Sequence, residues 1–223
     1  MPKSGSKTVQ GLAALALLSS ISLTAMATQT PVFQTFGPLA VATFGGSGIP
    51  NNAVAQTNFD TGGILGLTAT ARFGNPTVTN NGAGRFFAPA GVDQTDPSSI
   101  AQLFARWNID FYVDNGNQTG NLYQLFMDVD PTAGESFKSF GAGAVVNVSQ
   151  DSLNLGRNAS EVALLYTFNP TIPGEYTFLL TASRASAELA RTSIVVQVVP
   201  EPSSLALMAL GLLGLAGLRR KNS

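Results

Sequence analysis

The 223-residue sequence contains no cysteine and no histidine. These absences exclude disulfide bonds, thiol nucleophiles, imidazole bases and the common zinc sites. Charged residues are also scarce, at 11% of the chain, while the sequence holds 23 glycines and 12 prolines. This composition favours short strands joined by turns over long solvated helices, and the length suits one sizeable domain. We therefore expect an all-β protein.

Basic residues are few between the two ends of the chain. From Thr28 to Glu201 there are seven bases against thirteen acids, a net charge of −6. A surface of this sign repels the phosphates of nucleic acids. The sequence therefore excludes nucleic acid as an expected partner.

The first 27 residues have the layout of a secretory signal peptide. Lys3 and Lys7 precede an apolar stretch that begins at Gly11, and Ala25 and Ala27 are small enough for the pockets of a signal peptidase. We expect a signal helix in residues 1–27 that signal peptidase removes after Ala27. The alternative is a buried N-terminal helix.

The C-terminal residues 200–223 combine two prolines, an apolar stretch and a basic end. As a helix, residues 203–218 would reach roughly 24 Å, against roughly 30 Å for the hydrocarbon of a bilayer. The following bases can make up part of that length, and they should stay on the cytoplasmic side. Pro200 and Pro202 prevent the tail helix from continuing upstream and prevent residues 199–203 from pairing in a sheet, so this junction should be extended and open to a protease. We expect a transmembrane helix and a transient inner-membrane anchor.

This arrangement resembles the PEP-CTERM sorting tail. The residues that carry the resemblance are Val199, Pro200, Glu201, Pro202, Arg219, Arg220 and Lys221. It implies that an exosortase, a membrane cysteine protease of some Gram-negative bacteria, cuts the chain near Pro200. It also implies export across the inner membrane to the cell surface or the extracellular space, where such proteins are associated with exopolysaccharide. An ordinary C-terminal anchor is the alternative.

The body is predicted to be one β-sandwich, jelly-roll or immunoglobulin-like, of about eight strands in residues 57–199. Residues 28–56 form an irregular lead-in with one strand at 39–44. Residues 64–73 alternate apolar and polar side chains, which predicts a half-buried strand. Further strands are expected at 144–148 and 161–168, a short helix after Asp96, and a hairpin of 174–182 with 191–199.

The clearest predicted pair joins residues 106–114 to residues 122–130 as a hairpin. Matching their apolar faces places Val113 opposite Tyr123 and Trp107 opposite Val129. A slip of one residue would bury Asp110 and Asp128, which this register avoids. It predicts that Trp107 is buried between two sheets, and that Asp110 lies on the other face.

Two stretches of the body, SQDSLNLG and FNPTIPGEYTFLLTA, are similar to a group of PEP-CTERM proteins with no assigned activity. The similarity covers about the last half of the body. It names no ligand and no catalytic residue, so it implies only the fold and the compartment.

Acidic side chains give the only metal candidates. Asp128 and Asp130 share a strand face, and Glu135 could join them as an oxygen ligand of calcium. Residues 114–117 have a similar mixture of side chains. Both stretches are also typical of solvated turns, so we expect neither a metal nor another cofactor.

No catalytic motif stands out. A carboxylate pair of the glycosidase type cannot be singled out among thirteen acids, and Lys138, near Ser136 and Ser139, lies in no recognisable motif. We expect no enzyme. A structural or adhesive role at the cell surface or in the extracellular matrix is the first hypothesis, and a carbohydrate- or calcium-binding module is the second.

Overall fold

The computed structural model describes residues 29–59, 62–128, 130–132, 134–139, 149–156 and 168–200. These residues form eleven strands and one helix. In chain order they are β1 (Thr35–Gly37), β2 (Val54–Phe59), β3 (Gly63–Ala71), β4 (Thr79–Asn80), β5 (Arg85–Pro89), α1 (Pro97–Gln102), β6 (Phe104–Asp114), β7 (Leu122–Asp128), β8 (Phe137–Ser139), β9 (Gln150–Gly156), β10 (Gly174–Arg184) and β11 (Ala187–Val199).

The strands form two packed sheets, which confirms the predicted β-sandwich. The first sheet has the order β1-β2-β3-β6-β9, and the second has the order β4-β5-β11-β10-β7-β8. The described residues form more strands than the expected eight. The difference comes from three short strands, β1, β4 and β8, which are only two or three residues long. All strand pairs are antiparallel except β5 with β11, which run parallel.

The core lies between the inner faces of the two sheets. Trp107 is fully buried there, and its ring meets the rings of Phe168 and Phe178 edge to face at 5.7 and 6.0 Å. Leu65, Ile109 and other apolar residues of the first sheet complete one side of this core. The prediction that Trp107 is buried between two sheets is confirmed.

The predicted hairpin of β6 with β7 is wrong. β6 pairs with β3 and β9 in the first sheet, whereas β7 pairs with β10 and β8 in the second. The seven residues between them cross from one sheet to the other, a span of about 10 Å. The two apolar faces therefore meet across the core and not side by side, so the predicted register does not exist. Val129 lies outside the described residues.

The C-terminal hairpin is confirmed and is longer than predicted. β10 and β11 join through Ala185 and Ser186, whose φ angles are 48° and 65°. Positive φ at both positions is the geometry of the tight turn that matches the twist of paired strands. The pairing begins at Gly174 opposite Val198.

Residues 38–53 fold over the outer face of the first sheet, and the predicted strand at 39–44 is wrong. Leu39, Ala42 and Phe44 form a second apolar cluster with Val54 of β2. Gly66 of β3 lets this segment approach, because an added Cβ would lie 3.0 Å from the Leu39 side chain. The predicted half-buried strand is therefore covered on both faces.

The helix α1 begins as predicted. Asp96 caps it by accepting a hydrogen bond from Ser99 N at 2.9 Å, and Pro97 occupies the first turn. Residues 144–148 and 161–167, like both predicted terminal helices, lie outside the described residues. Within the described ranges, no helix is long and apolar enough to cross a bilayer.

Candidate functional site

A pocket of about 430 Å³ opens on the outer face of the first sheet. Its floor comes from the three adjacent strands β3, β6 and β9, and its wall comes from the loop of residues 44–50. Thr70 pairs with Asn108 across the β3–β6 ladder, and Asn108 pairs with Asn154 across the β6–β9 ladder. The pocket floor is therefore a row of polar side chains fixed by strand register.

Asp110 lies beside these residues on the same outer face of the sheet, two positions along β6 from Asn108. It has no exposed surface, and its Oδ2 accepts a hydrogen bond from Thr70 Oγ1 at 2.7 Å. Ser152, its pairing partner on β9, lies close enough to lower the pKa of this carboxyl, and its Oγ accepts from Asn108 Nδ2 at 3.1 Å. Thr70 and Ser152 line the pocket, so both side chains connect the buried acid to it.

Burial raises the pKa of Asp110 to about 6, although the hydrogen bonds from Ser152 and Thr70 oppose the shift. The nearby negative charge of Asp151 adds to the increase. The Oδ1 atom of Asp110 is buried without a hydrogen-bond partner. Such a carboxyl is costly to keep ionised, and a cost of this kind at a pocket is typical of a functional position.

Arg72 forms one end of the pocket, and each of its three guanidinium nitrogens donates a hydrogen bond to a protein group. Its Nε donates to Asp93 Oδ2 at 2.9 Å and to Ser99 Oγ at 3.2 Å, and its Nη1 donates to Asn154 Oδ1. The guanidinium carbon lies 4.6 Å from the centre of the Phe104 ring. The positive charge is therefore compensated inside the protein.

Asp93 holds its charge in this network. Burial alone would raise the pKa of Asp93, but the hydrogen bonds to its carboxyl lower the pKa by more. These bonds include those from Asn75 Nδ2 at 2.8 Å and from Thr95 N at 2.9 Å. The pKa of Asp93 consequently lies well below its usual range. The Arg72–Asp93 pair is thus a permanent buried ion pair at neutral pH.

The rim of the pocket combines an aromatic ring with a glycine-rich loop. The Phe73 side chain is 74% exposed beside Arg72. Across the opening, Gly45 and Gly48 adopt φ angles of 76° and 84°, which side chains rarely allow. Gln150 Oε1 holds the start of this loop by accepting from the backbone N–H of residues 43 and 44, at 2.8 and 2.7 Å.

The predicted metal candidates do not lie at this pocket. Asp128 is fully buried at the end of β7, where its Oδ1 accepts from Asp130 N at 3.0 Å and Ser136 N at 2.8 Å. Burial raises the pKa of Asp128. Asp130 accepts from Thr132 N, and Glu135 is exposed in the same turn. In the described ranges, no three acidic side chains gather into a metal-binding group.

The structure places the other predicted positions as follows. Asp114 accepts from Gly116 N at 2.8 Å and so forms a turn at the start of the crossover between the sheets. Val199 ends β11, and Pro200 is exposed directly after it. The remaining cleavage and sorting residues lie outside the described residues: Ala25, Ala27, Glu201, Pro202, Arg219, Arg220 and Lys221.

Sequence reasoning missed every residue of the pocket. The alternation of β3 and β6 predicts that Thr70 and Asp110 face outward into solvent, whereas both side chains are buried in the structure. The sequence signal that was available is the clustering of small polar residues on the outer faces of three strands, including Ser152 and Asn154 of β9. Only the strand order makes these residues neighbours.

Fold and pocket together define an all-β sandwich with a polar pocket on an outer sheet face. Residues 198–221 match the family model of the PEP-CTERM protein-sorting motif. The chain therefore carries a PEP-CTERM sorting signal, which indicates an exported protein that an exosortase processes and that reaches the cell surface or the extracellular space. Neither the search of curated proteins nor the search of solved structures found a match.

Proposed function

We propose that this protein is a saccharide-binding component of the cell surface or extracellular matrix, with a structural or adhesive role. The pocket carries the proposal: an exposed aromatic ring stands at the rim of a floor of hydroxyl and amide groups. The apolar face of a sugar ring stacks on an aromatic side chain, and the sugar hydroxyls bond to polar groups placed around it. Phe73 supplies the ring, and Thr70, Asn108 and Ser152 supply the floor.

The proposed role is binding without catalysis. Among the described residues that line the pocket, Asp151 is the only one with a carboxylate, and the buried Asp110 is not part of this lining. Glycosidases use two carboxyl groups that both reach the scissile bond. The absence of histidine and cysteine from the sequence also argues against other common hydrolytic centres. The described lining of the pocket holds one acidic side chain, which is too few for a calcium site, so a saccharide is the favoured ligand.

The proposed route is that of the sorting tail. Signal peptidase removes residues 1–27, the tail anchors the protein transiently in the inner membrane of a Gram-negative cell, and exosortase then releases it. Exopolysaccharide is the proposed partner outside the cell. The net negative charge between the two ends supports a partner other than nucleic acid.

The test is a glycan array probed with the purified full chain in detergent. Binding to one saccharide class is expected, and Phe73→Ala should weaken it at least tenfold through loss of the stacking face. Leu122→Ala is the matched control, because Leu122 is an exposed apolar side chain on the other sheet. Absence of glycan binding by the wild-type chain would contradict the proposal and favour a purely structural role.

A further inference from the structure

The geometry points to Asp110 as a positioning residue that makes the pocket selective for neutral saccharides, an inference that rests on the proposed saccharide-binding function. Its observation is the hydrogen bond from one hydroxyl group of the pocket floor to a buried carboxylate. Thr70 Oγ1 donates to Asp110 Oδ2 at 2.7 Å, and Ser152 stands opposite Asp110 on the neighbouring strand.

An ionised carboxylate only accepts hydrogen bonds, so Thr70 must direct its hydroxyl hydrogen toward Asp110. Ser152 Oγ accepts a hydrogen bond from Asn108 Nδ2. The lone pairs of Thr70 and the free face of Ser152 are then left for the pocket. The floor therefore presents acceptors, and the ligand must donate hydrogen bonds to them, as sugar hydroxyls do.

Charge at the pocket works against an acidic sugar. Among the described residues that line the pocket, Arg72 is the only cation, and it donates to Asp93, Ser99 and Asn154. Asp110 and Asp151 are both acidic, and this described lining holds no second cation to pair with a uronic acid carboxylate. A neutral hydroxyl-rich ring meets no such repulsion.

The same connection makes binding depend on pH. Asp110 bonds to Thr70 of β3 and pairs with Ser152 of β9, Asp151 of β9 is the charged group that acts on its pKa, and the loop of residues 44–50 contributes no titratable group. Protonated Asp110 carries a hydrogen that it can donate to Thr70 Oγ1, so the Thr70 hydroxyl is no longer held in one orientation. Because its pKa is about 6, affinity should rise as pH increases from 5 to 7 and then level off.

The experiment compares neutral hexose oligosaccharides with their uronic acid counterparts on the full chain in detergent, at pH values from 5 to 8. Wild-type protein should bind the neutral series at least tenfold more tightly, with affinity increasing across pH 6. Asp110→Asn keeps the shape but adds a donor, so it should lower affinity about tenfold and remove the pH dependence. Asp128→Asn, which alters a buried carboxyl in the other sheet, should retain the wild-type pH profile.

A double-mutant comparison separates positioning from a general loss of structure. Thr70→Val removes the hydroxyl that Asp110 orients, so its effect and that of Asp110→Asn should be less than additive in the double variant. Neutral binding that Asp110→Asn leaves unchanged in strength and pH profile would overturn this inference while sparing the proposed function. Preference of the wild type for uronic acids would overturn it too. A wild type that binds no saccharide would instead overturn the proposed function itself.

Discussion

At the scale of single residues, Trp107 connects the two sheets. Its ring is fully buried, and it meets Phe168 and Phe178 edge to face. The indole N–H is buried without an acceptor in the described part of the chain. The ring therefore contributes through packing and not through a hydrogen bond.

Trp107→Ala should lower the free energy of unfolding by about 3 to 5 kcal/mol, because it leaves a large cavity between the sheets. Trp107→Phe should cost less, since it keeps an aromatic ring and removes the unpaired donor. Urea unfolding measures both. In the wild type, iodide should quench the fluorescence of this single tryptophan only after unfolding. Full quenching in the folded state would contradict the burial.

Asp110 corrects an expectation drawn from its strand. Its position on the outward face predicts an exposed side chain whose loss costs little, yet it is fully buried between β3 and β9. Its raised pKa means that protonation is easier in the folded state than in the unfolded one. Its contribution to stability is therefore present below pH 4 and is lost as pH rises to about 6.

Asp110→Asn should remove the loss of stability that the wild type suffers as pH rises through the pKa of Asp110. A pKa change from 3.8 to about 6 corresponds to about 3 kcal/mol. The difference in unfolding free energy between variant and wild type should therefore shift by about this amount in favour of the variant from pH 4 to pH 7. Urea titrations at each pH measure this difference in unfolding free energy. Asp93, whose pKa is lowered, is present in both proteins, so its own pH dependence cancels in the difference. A difference that stays constant with pH would refute the assignment.

At the scale of elements, the loop of residues 44–50 is held by the edge strand β9. One side-chain oxygen, Gln150 Oε1, accepts from two consecutive backbone N–H groups. Phe44 inserts into the apolar cluster beneath the loop. This loop therefore forms the wall of the pocket without regular secondary structure.

Gln150→Ala should loosen this wall. Two N–H groups lose their acceptor, which should cost about 1 to 3 kcal/mol locally. Hydrogen exchange of residues 40–50 should accelerate, while exchange in β10 and β11 stays unchanged. Gln150→Glu, which keeps an acceptor oxygen, is the control and should exchange more slowly than the alanine variant. Equal exchange in all three proteins would show that Gln150 does not anchor the loop.

At the scale of the whole molecule, both ends of the described body are tied to the second sheet. Gln29 N donates to Glu175 Oε1, and Glu175 forms a buried ion pair with Arg85 at 3.0 Å. At the other end, Val199 O accepts from Ala90 N at 2.8 Å, and Pro200 is exposed. The folded body therefore extends almost from the predicted signal cleavage site to the sorting motif.

Protein recovered from the exterior of its native host should begin at Thr28 and end near Pro200. Cleavage at these points leaves the contacts of Gln29 and Val199 intact, so the mature chain should melt like the full chain. Intact-mass analysis provides the measurement. A secreted chain that still carries residues 205–223 would contradict processing at the tail.

The sequence by itself determined the elements whose signals are local. Alternating side chains predicted strands β3, β6, β7, β10 and β11, a two-layer core with Trp107 inside it and the C-terminal hairpin, since the period of a strand shows in neighbouring residues. Strands β2, β5 and β9 were not predicted. The sorting tail could be predicted because its prolines, apolar stretch and basic end occur in fixed order. Each of these predictions rests on residues close together in the sequence.

Tertiary structure alone decided strand partners and therefore the pocket. The connection from β6 to β7 is long enough to turn back or to cross between sheets, and the alternation is the same in both cases. The choice depends on competing long-range partners such as β3, β9 and β10. Thr70, Asp110 and Ser152 become neighbours only through that choice, and the covering segment at residues 38–53 then turns an outer face into a buried one.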